Sequence, residues 1–297
     1  MLVIHHNACP VCGSQKLRFV LKAEDHTVSG EIFSIYECAN CSLRFTQDVP
    51  DNVSIGAYYQ SADYISHAGE PKGFINWLYR KVRNRNVRKK RKLIEKFSKG
   101  KKGKILDVGA GIGSFLHEMQ AEGWEAKGIE PSVSAREVAK KKYGFSLEKE
   151  NSLFEMAAGS FDAITLWHVL EHVHDLHGYL RQIKVLLKET GRIFIALPNY
   201  QSMDAKAFRE NWAAYDVPRH LYHFSSRSMD ILMKKHDLKI LQLQPMWFDS
   251  FYISLLSTRY KKGRNNLLLG FWNGFVSDLN AIGNVEKCSS VIYIISK

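Results

Sequence analysis

The glycine-rich loop at Ile105–Phe115 constrains the fold of this chain more than any other feature of its sequence. It reads ILDVGAGIGSF and joins a short apolar run, typical of a buried strand, to a stretch with helical spacing. Because Gly109, Gly111 and Gly113 lack Cβ atoms, a ligand can lie against the backbone where the strand ends. The loop therefore predicts an open α/β sheet with a ligand site at that edge.

From Lys104 onward, strand-like runs alternate with amphipathic helical stretches, which predicts an α/β domain whose sheet is mainly parallel. We expect this domain to span 104–297 and to carry insertions at about 198–224 and 247–283. The expected strands, in chain order, contain KILDVG, WEAKGIE, FSLEK, FDAITLWHV, GRIFIALPN, LKILQLQPM and SSVIYIISK.

Four of the five cysteines form two CxxC pairs near the start of the chain, at Cys9, Cys12, Cys38 and Cys41. Two such pairs can bring four thiolates onto one tetrahedral Zn²⁺ ion, and an all-cysteine site leaves no open position for substrate. Two disulfides are less consistent with a sequence that shows no sign of an oxidising compartment. A redox role would require both pairs to be active together. We therefore expect residues 1–48 to form a zinc ribbon with a structural Zn²⁺.

The net charge of +12 comes from a single segment. Between Arg80 and Lys104 there are 14 basic residues and one acid, Glu95, whereas the remaining chain is close to neutral. We expect 49–103 to be a connector followed by a basic helix. Two interpretations stay open: a solvated helix that links two domains, or a helix that binds RNA, a membrane surface or a phosphorylated substrate.

The sequence shows no recognisable signal peptide or membrane-spanning segment. The start of the chain, MLVIHHNACP, has no basic region followed by a long apolar run. The longest apolar run, Leu267–Val276, has about half of the ~20 residues that a membrane span needs. We expect a cytoplasmic protein.

Two carboxylates give the glycine loop a more specific meaning. Asp107 lies two residues before the first glycine, and Glu130 ends the second strand, where its carboxylate can accept hydrogen bonds from ribose hydroxyls. Ser114 stands where a dinucleotide-binding fingerprint has its third glycine. With these features, Lys104–Lys297 resembles the class I S-adenosylmethionine (SAM)-dependent methyltransferases.

The resemblance implies a seven-stranded Rossmann-like methyltransferase sheet, with six strands of the parallel type and an antiparallel last strand. It also implies that the loop wraps the methionine part of SAM and that the acid of the second strand holds the ribose. The cofactor-binding residues carried over in this way are Asp107, Gly109, Ala110, Gly111, Gly113, Glu130, Pro131, Asn151, Trp167 and His168.

Candidate catalytic residues lie in two segments. His168 follows the fourth strand in WHVLEH and either lines the methyl pocket or packs beneath the cofactor. In the insertion after the fifth strand, His220 is a candidate general base and Arg219 a candidate clamp for an anionic acceptor. The alternative for this second segment is a polar network that fixes the loop.

The N-terminal ribbon resembles that of zinc-ribbon sugar C-methyltransferases, and the catalytic part resembles ubiquinone-type O-methyltransferases. The resemblance implies an enzyme that transfers a methyl group from SAM to a small-molecule or lipid-linked acceptor, at a sugar or phenol-like hydroxyl or carbon. Two alternatives remain: an RNA methyltransferase that uses the basic helix and the ribbon, and a non-catalytic SAM-binding protein. Phe251–Leu279 is first of all expected to be a plain helical extension of the core; a lid, a dimer surface or a peripheral membrane contact are the alternatives.

Overall fold

The structure is a computed structural model of the 297-residue chain. It describes residues 2–59, 74–264 and 266–297, with the backbone alone over 74–84. Most of the predicted connector, residues 60–73, lies outside the described residues. The chain divides into two compact units, which we call the ribbon unit (Met1–Ser61, His168–Leu176 and Ala196–Ile294) and the glycine-loop unit (Ala62–Trp167, His177–Ile195 and Ile295–Lys297).

The ribbon unit begins with small antiparallel sheets. Strand β1 (Val3–Ile4) pairs with β5 (Val49–Pro50). A second sheet has the order β10-β4-β3-β2, built from β2 (Leu17–Glu24), β3 (Ile32–Cys38), β4 (Arg44–Thr46) and β10 (Tyr222–His223). Tyr222 therefore pairs with Phe45, so a strand from the distant insertion completes the sheet of the cysteine-containing segment.

The middle of the chain alternates between helices and strands, as expected. The elements are α1 (Phe74–Phe97), β6 (Lys104–Val108), α2 (Ser114–Ala121), β7 (Glu125–Ile129), α3 (Val133–Tyr143), β8 (Phe161–Trp167), α4 (Leu176–Leu186) and β9 (Leu187–Pro198). Strand β6 pairs in parallel with β7 and with β8. Because the adjacent residues Ile105 and Leu106 are both fully buried, both faces of β6 are covered.

The last third of the chain is mainly helical before its final strand. It contains α5 (Met203–Phe208), α6 (Ser226–Lys235), β11 (Lys239–Pro245), α7 (Asp249–Lys262), α8 (Leu267–Ala281) and β12 (Ser290–Ser296). Short 3₁₀ helices lie at Ile55–Tyr59, Glu150–Glu155, Leu170–His172, Arg209–Asn211, Ala213–Tyr215 and Val285–Lys287. Among the described residues, no helix is long and apolar enough to span a bilayer.

The large sheet is Rossmann-like, with parallel and antiparallel strands and the order β11-β12-β9-β8-β6-β7. Among the residues that the structure describes it has six strands, so the expectation of seven was wrong. The expected strand FSLEK contributes one parallel bridge, in which Glu148 pairs with Ile129. The pairing ends there because the chain turns into a 3₁₀ helix at Glu150, two residues later.

Candidate functional site

The glycine loop is fixed to the end of the neighbouring strand β7 by its own backbone. The N–H groups of Gly109 and Ala110 both donate to the carbonyl of Ile129, at 2.8 and 2.9 Å. Gly109, Gly111 and Gly113 all have positive φ values, between 54° and 78°, a region that glycine adopts without strain. A Cβ atom added at Gly111 would meet no other heavy atom within 4 Å, so this position faces open space.

Glu130, directly after β7, holds the loop from the other side. Its Oε2 accepts a hydrogen bond from the N–H of Gly111 at 2.8 Å, and its Oε1 accepts one from the N–H of Ser132 at 2.9 Å. The Arg136 guanidinium donates to the carbonyls of Glu130 and of Pro131, at 2.6 and 2.7 Å. Burial raises the pKa of Glu130 above its usual value. Each carboxylate oxygen keeps a lone pair with which it can accept a further hydrogen bond.

Asp107 is the second carboxylate of this site and is buried near the end of β6. Thr165 on the adjacent strand β8 donates to its Oδ1 at 2.5 Å, an interaction that sequence reasoning missed. Burial raises the pKa of Asp107 to about 7. The structure thus brings together the predicted residues Asp107, Gly109, Ala110, Gly111, Gly113, Glu130 and Pro131, and the two buried acids suit a ligand that carries hydroxyl or ammonium donors.

Two other predicted cofactor residues have different surroundings. Trp167, the last residue of β8, packs edge-to-face on Phe115, with 5.6 Å between ring centroids. The Nζ of Lys90, from the basic helix α1, lies 4.3 Å from the centroid of the Trp167 ring, a cation–π contact that the sequence did not indicate. Asn151 is exposed in the 3₁₀ helix that precedes β8, and its role stays a prediction.

His168 follows Trp167 directly and belongs to the ribbon unit. Its φ of 58° is unusual for a residue other than glycine, and its N–H donates to the carbonyl of Ala196 at 3.1 Å. Its Nε2 lies 3.1 Å from Asp249 Oδ2, and its Nδ1 lies 3.4 Å from Glu171 Oε1. Burial alone would lower the pKa of His168, but these two carboxylates outweigh it and raise the pKa to about 9. Near neutral pH His168 is therefore a cation and not a base.

Glu171, His172 and His220 form a buried cluster in the same unit. The side-chain ligand atoms of these three residues all lie within 4.8 Å of one another. His172 Nδ1 is 2.9 Å from the carbonyl of Arg219, and His220 Nδ1 is 2.9 Å from that of Ala214. A carbonyl only accepts, so the Nδ1 atom of each imidazole carries a hydrogen and donates it.

The carboxylate of this cluster, Glu171, is unusual because it is buried without a hydrogen-bond donor among the described residues. Glu171 is fully buried, yet neither of its oxygens accepts a hydrogen bond from any residue that the structure describes. Burial opposes ionisation, but His168 and the neighbouring imidazoles outweigh it and lower the pKa of Glu171. Burial, followed by the proximity of His220, lowers the pKa of His172 to about 4. One carboxylate and two imidazoles can relay a proton or bind a divalent cation.

Arg219 does not point into open space. It is buried, and its guanidinium donates to Asp216 and Asp25, with Nη2 to oxygen distances of 2.7 and 2.9 Å. It also donates to Thr27 Oγ1 at 2.7 Å and to the carbonyl of Tyr58 at 2.8 Å. These partners correspond to the second interpretation from the sequence, a polar network that fixes the loop; the anion clamp stays a prediction.

The four predicted zinc ligands converge in the ribbon unit. Cys9 Sγ lies 3.4 Å from Cys41 Sγ, and Cys12 Sγ lies 3.5 Å from Cys38 Sγ, with no disulfide between them. A tetrahedral Zn²⁺ with Zn–S bonds of ~2.3 Å needs sulfur atoms about 3.8 Å apart, close to these distances. The two turns match: Gly13 N–H donates to the carbonyl of Cys9, and Ser42 N–H to that of Cys38, both at 2.9 Å. The donor set therefore fits Zn²⁺.

Comparison with known proteins agrees with the class of protein that this fold and glycine loop define, the methyltransferases. Residues 79–243, more than half of the chain, match the sequence family described as "Methyltransferase domain". The chain belongs to this methyltransferase family.

Individual relatives are similar either over a shorter part of the sequence or, for the solved structures, at low sequence identity. A ubiquinone biosynthesis O-methyltransferase from Methylocella silvestris is 32% identical over 102 residues, which are 32% of this chain and 40% of that protein. A SAM-dependent methyltransferase from Archaeoglobus fulgidus superposes with a TM-score of 0.51 at 18% identity, over 73% of this chain and 94% of that one. Phosphoethanolamine N-methyltransferase 2 from Haemonchus contortus, solved with SAM, gives 0.53 at 18% identity, over 95% and 68%. At these identities the two structures establish the fold.

Proposed function

We propose that this protein is a SAM-dependent methyltransferase whose acceptor is a small molecule with a reactive oxygen. The observation that carries the proposal is the pair of buried acids around the glycine loop, with Glu130 bonded to the N–H of Gly111 and Asp107 held by Thr165. The names of the ubiquinone O-methyltransferase relatives support transfer to oxygen.

The glycine-loop unit offers the groups that SAM requires. Glu130 would accept hydrogen bonds from the ribose hydroxyls, and Asp107 would accept them from the ammonium group of the methionine part. The glycine loop leaves space for the cofactor beside Gly111, where no side chain intrudes. When bound, SAM supplies a methyl group on a positively charged sulfur, ready for in-line displacement.

A hydroxyl acceptor must also lose its proton, and the cluster in the ribbon unit contains a suitable base. We propose His220, because its Nδ1 donates to the carbonyl of Ala214, which leaves Nε2 as the atom that would take up the proton. Burial and the proximity of His220 lower the pKa of His172 to about 4, which makes His172 a poor base near neutral pH. The carboxylate of Glu171 would stabilise the imidazolium that forms on His220.

Zinc, in this proposal, has a structural role. The four thiolates fill all four positions of a tetrahedral site, so the metal would hold the two CxxC turns together rather than contact substrate. The alternative that α1 binds RNA has less support. Arg91 in that helix already pairs with Glu95 at 2.9 Å and with Glu118 at 3.0 Å, and Lys102 pairs with Glu95.

The test is methyl transfer from labelled SAM into a host lysate that is separated into RNA, protein, lipid and small-molecule fractions. We expect label in the small-molecule or lipid fraction, unchanged by prior RNase treatment. The matched control is Glu130→Gln, which should strongly reduce labelling of every fraction when SAM is limiting. Label that disappears with RNase would replace this proposal with the RNA alternative, and an equally active Glu130→Gln protein would contradict the cofactor site.

A further inference from the structure

In the helical hairpin formed by α7 and α8, helix α8 buries its small residues and exposes its large apolar ones. Helix α8 buries its small residues, Gly270, Gly274, Ser277 and Ala281, which lie on one face at helical spacing. Its large apolar residues point the other way: Leu268 is 85% exposed, Phe271 63% and Trp272 62%. A helix that served only the core of the unit would have the opposite arrangement.

Close helix packing explains why small residues occupy the buried face. A Cβ atom on Gly274 would lie 2.8 Å from the Cα of Phe251 in α7, and one on Gly270 would lie 3.0 Å from the Cα of Leu255. Helix α7 likewise buries small polar residues, Ser250, Ser254, Ser257 and Thr258. The two backbones therefore approach so closely that the larger side chains have no room between them and remain outside.

The buried face of the hairpin is fixed by hydrogen bonds within the ribbon unit. Ser277 Oγ donates to Asp204 at 2.6 Å, and Ser257 Oγ accepts from the N–H of Ala213 at 2.9 Å. Ser250 Oγ donates to Asp278 at 2.7 Å. The outward orientation of Phe271 and Trp272 is therefore set by the opposite face of their helix. The exposed apolar residues of α8 and the turn after it are Leu267, Leu268, Phe271, Trp272, Phe275, Leu279 and Ile282.

The charges at the turn of the hairpin are all positive, whereas its two acidic residues, Asp249 and Asp278, lie at the other end, where Asp249 contacts His168 and Asp278 accepts from Ser250. Between Asp249 and Asp278 the sequence contains four basic residues and no acidic one. Three of them, Lys261, Lys262 and Arg264, lie at the turn between α7 and α8, and all are exposed. The two acids that a second copy of this hairpin would bring, Asp249 and Asp278, already have partners within their own unit, so they offer little to that basic turn. Anionic phospholipid headgroups above a hydrocarbon layer match both its charge and its aromatic face.

We infer that the α7–α8 hairpin docks the protein on the surface of an anionic phospholipid bilayer. Phe271, Trp272 and Leu268 enter the boundary between headgroups and acyl chains, and the basic turn contacts the headgroup phosphates. The hairpin lies outside residues 79–243, which match the methyltransferase family, and the inference goes beyond the proposed methyl transfer. It is tested without SAM or acceptor, so its failure would leave the proposed activity untouched.

The experiment is cosedimentation of the full-length protein with vesicles of phosphatidylcholine and phosphatidylglycerol, compared with phosphatidylcholine alone. We expect binding to the anionic vesicles that weakens with added salt, and little binding to the neutral ones. Replacing Phe271 and Trp272 together by Ser should reduce the bound fraction roughly tenfold or more. The matched control is Phe154→Ser, a half-exposed aromatic residue of the glycine-loop unit, which should bind as the wild type does.

Two further experiments test the contribution of the basic turn to binding and the depth to which Trp272 enters the bilayer. Lys261→Glu with Lys262→Glu should abolish the preference for anionic vesicles, whereas Lys140→Glu with Lys141→Glu, on α3, should not. Brominated lipids should quench wild-type fluorescence more than that of Trp272→Phe. Equal binding by the Phe271→Ser/Trp272→Ser variant would overturn the inference. A second result would also overturn the inference: the wild type does not bind vesicles and is a dimer in solution, and the Phe271→Ser/Trp272→Ser variant is a monomer. The apolar surface would then be the contact with a second copy of the chain.

Discussion

The backbone N–H of Gly111 donates a 2.8 Å hydrogen bond to Oε2 of Glu130. This bond joins the loop after β6 to the residue after β7, two neighbouring parallel strands. One carboxylate thus holds the loop in shape and also offers its remaining lone pairs to a ligand. The shape of the cofactor site and its affinity consequently depend on the same side chain.

Glu130→Gln should weaken binding of S-adenosylhomocysteine by about ten- to a hundredfold, since a hydrogen bond to a charged group contributes ~1.5–3 kcal/mol. An amide offers one acceptor oxygen in place of two. Calorimetric titration measures the change. Glu148→Gln is the control, because Glu148 pairs with Lys127 at 2.9 Å and both side chains are partly exposed. Similar affinities for the two variants would mean that Glu130 does not contact the ribose.

His220→Ala should reduce kcat by about 10²- to 10⁴-fold, the usual contribution of a general base. Affinity for S-adenosylhomocysteine should stay within about twofold, because Asp107 and Glu130 remain in place. His117→Ala is a suitable comparison, since His117 stacks on Tyr143 in the glycine-loop unit, with 4.8 Å between ring centroids. If His220→Ala keeps full turnover, another group takes the proton; if it unfolds, the residue is structural.

The pair of carboxylates around His168 should make folding stability depend on pH. The pKa of His168 in the folded protein is about 9, above its ordinary value of 6.5. The stabilisation is therefore complete below pH 6.5 and is lost as the pH rises through about 9. Between pH 6.5 and 9.5 the free energy of unfolding of the wild type should fall by about 1–2 kcal/mol more than that of His168→Gln. This range is reduced because the side chain is partly exposed. Urea unfolding of both proteins at pH 6.5 and 9.5 gives the difference, and parallel pH profiles would refute the assignment.

The cysteine cluster should hold one Zn²⁺ per chain. Cys38→Ser removes one of the four thiolates and should release the metal or weaken its binding, with loss of the fixed CxxC turns. Cys288→Ser should retain a full equivalent, because Cys288 is buried away from the other four and lies 3.9 Å from the carbonyl of Met246. Elemental analysis of the purified proteins decides the matter. A metal-free wild type, purified without chelator, would contradict the zinc site.

Arg219→Met should lower the free energy of unfolding by about 3–5 kcal/mol, because it leaves two carboxylates without their partner in a buried site. Asp25 and Asp216 are those carboxylates. A double substitution with Asp25→Asn should recover part of the loss. If Arg219→Met unfolds at the same denaturant concentration as the wild type but loses affinity for its acceptor, Arg219 is instead the anion clamp that the sequence suggested.

The sequence predicted the features that depend on local spacing. The cysteine pairs, the glycine loop and Glu130 each lie within a short motif whose backbone geometry is largely determined by its own residues. The sequence could not identify pairs that the fold brings together, such as Asp107 with Thr165, or His168 with Asp249, which lie 58 and 81 positions apart. The inverted packing of α8 was also missed, because an apolar helix gives the same pattern whether its large residues face the core or the solvent.

The seventh strand was expected for a related reason. FSLEK has the length and alternation of a short strand, but strand formation depends on pairing beyond a single residue. The chain enters a 3₁₀ helix at Glu150, so only Glu148 pairs with Ile129. The 3₁₀ helix that begins at Glu150 leaves FSLEK too little length to pair as a seventh strand.

The central claim, that the glycine-loop unit binds SAM, is tested most directly by calorimetric titration of the wild-type protein with S-adenosylhomocysteine, beside adenosine and NAD. We predict one site per chain for S-adenosylhomocysteine with a micromolar dissociation constant or tighter, and much weaker binding of NAD, since Ser114 replaces a glycine of the dinucleotide fingerprint. No heat of binding with S-adenosylhomocysteine, or tighter binding of NAD, in protein that is folded by circular dichroism would contradict the claim.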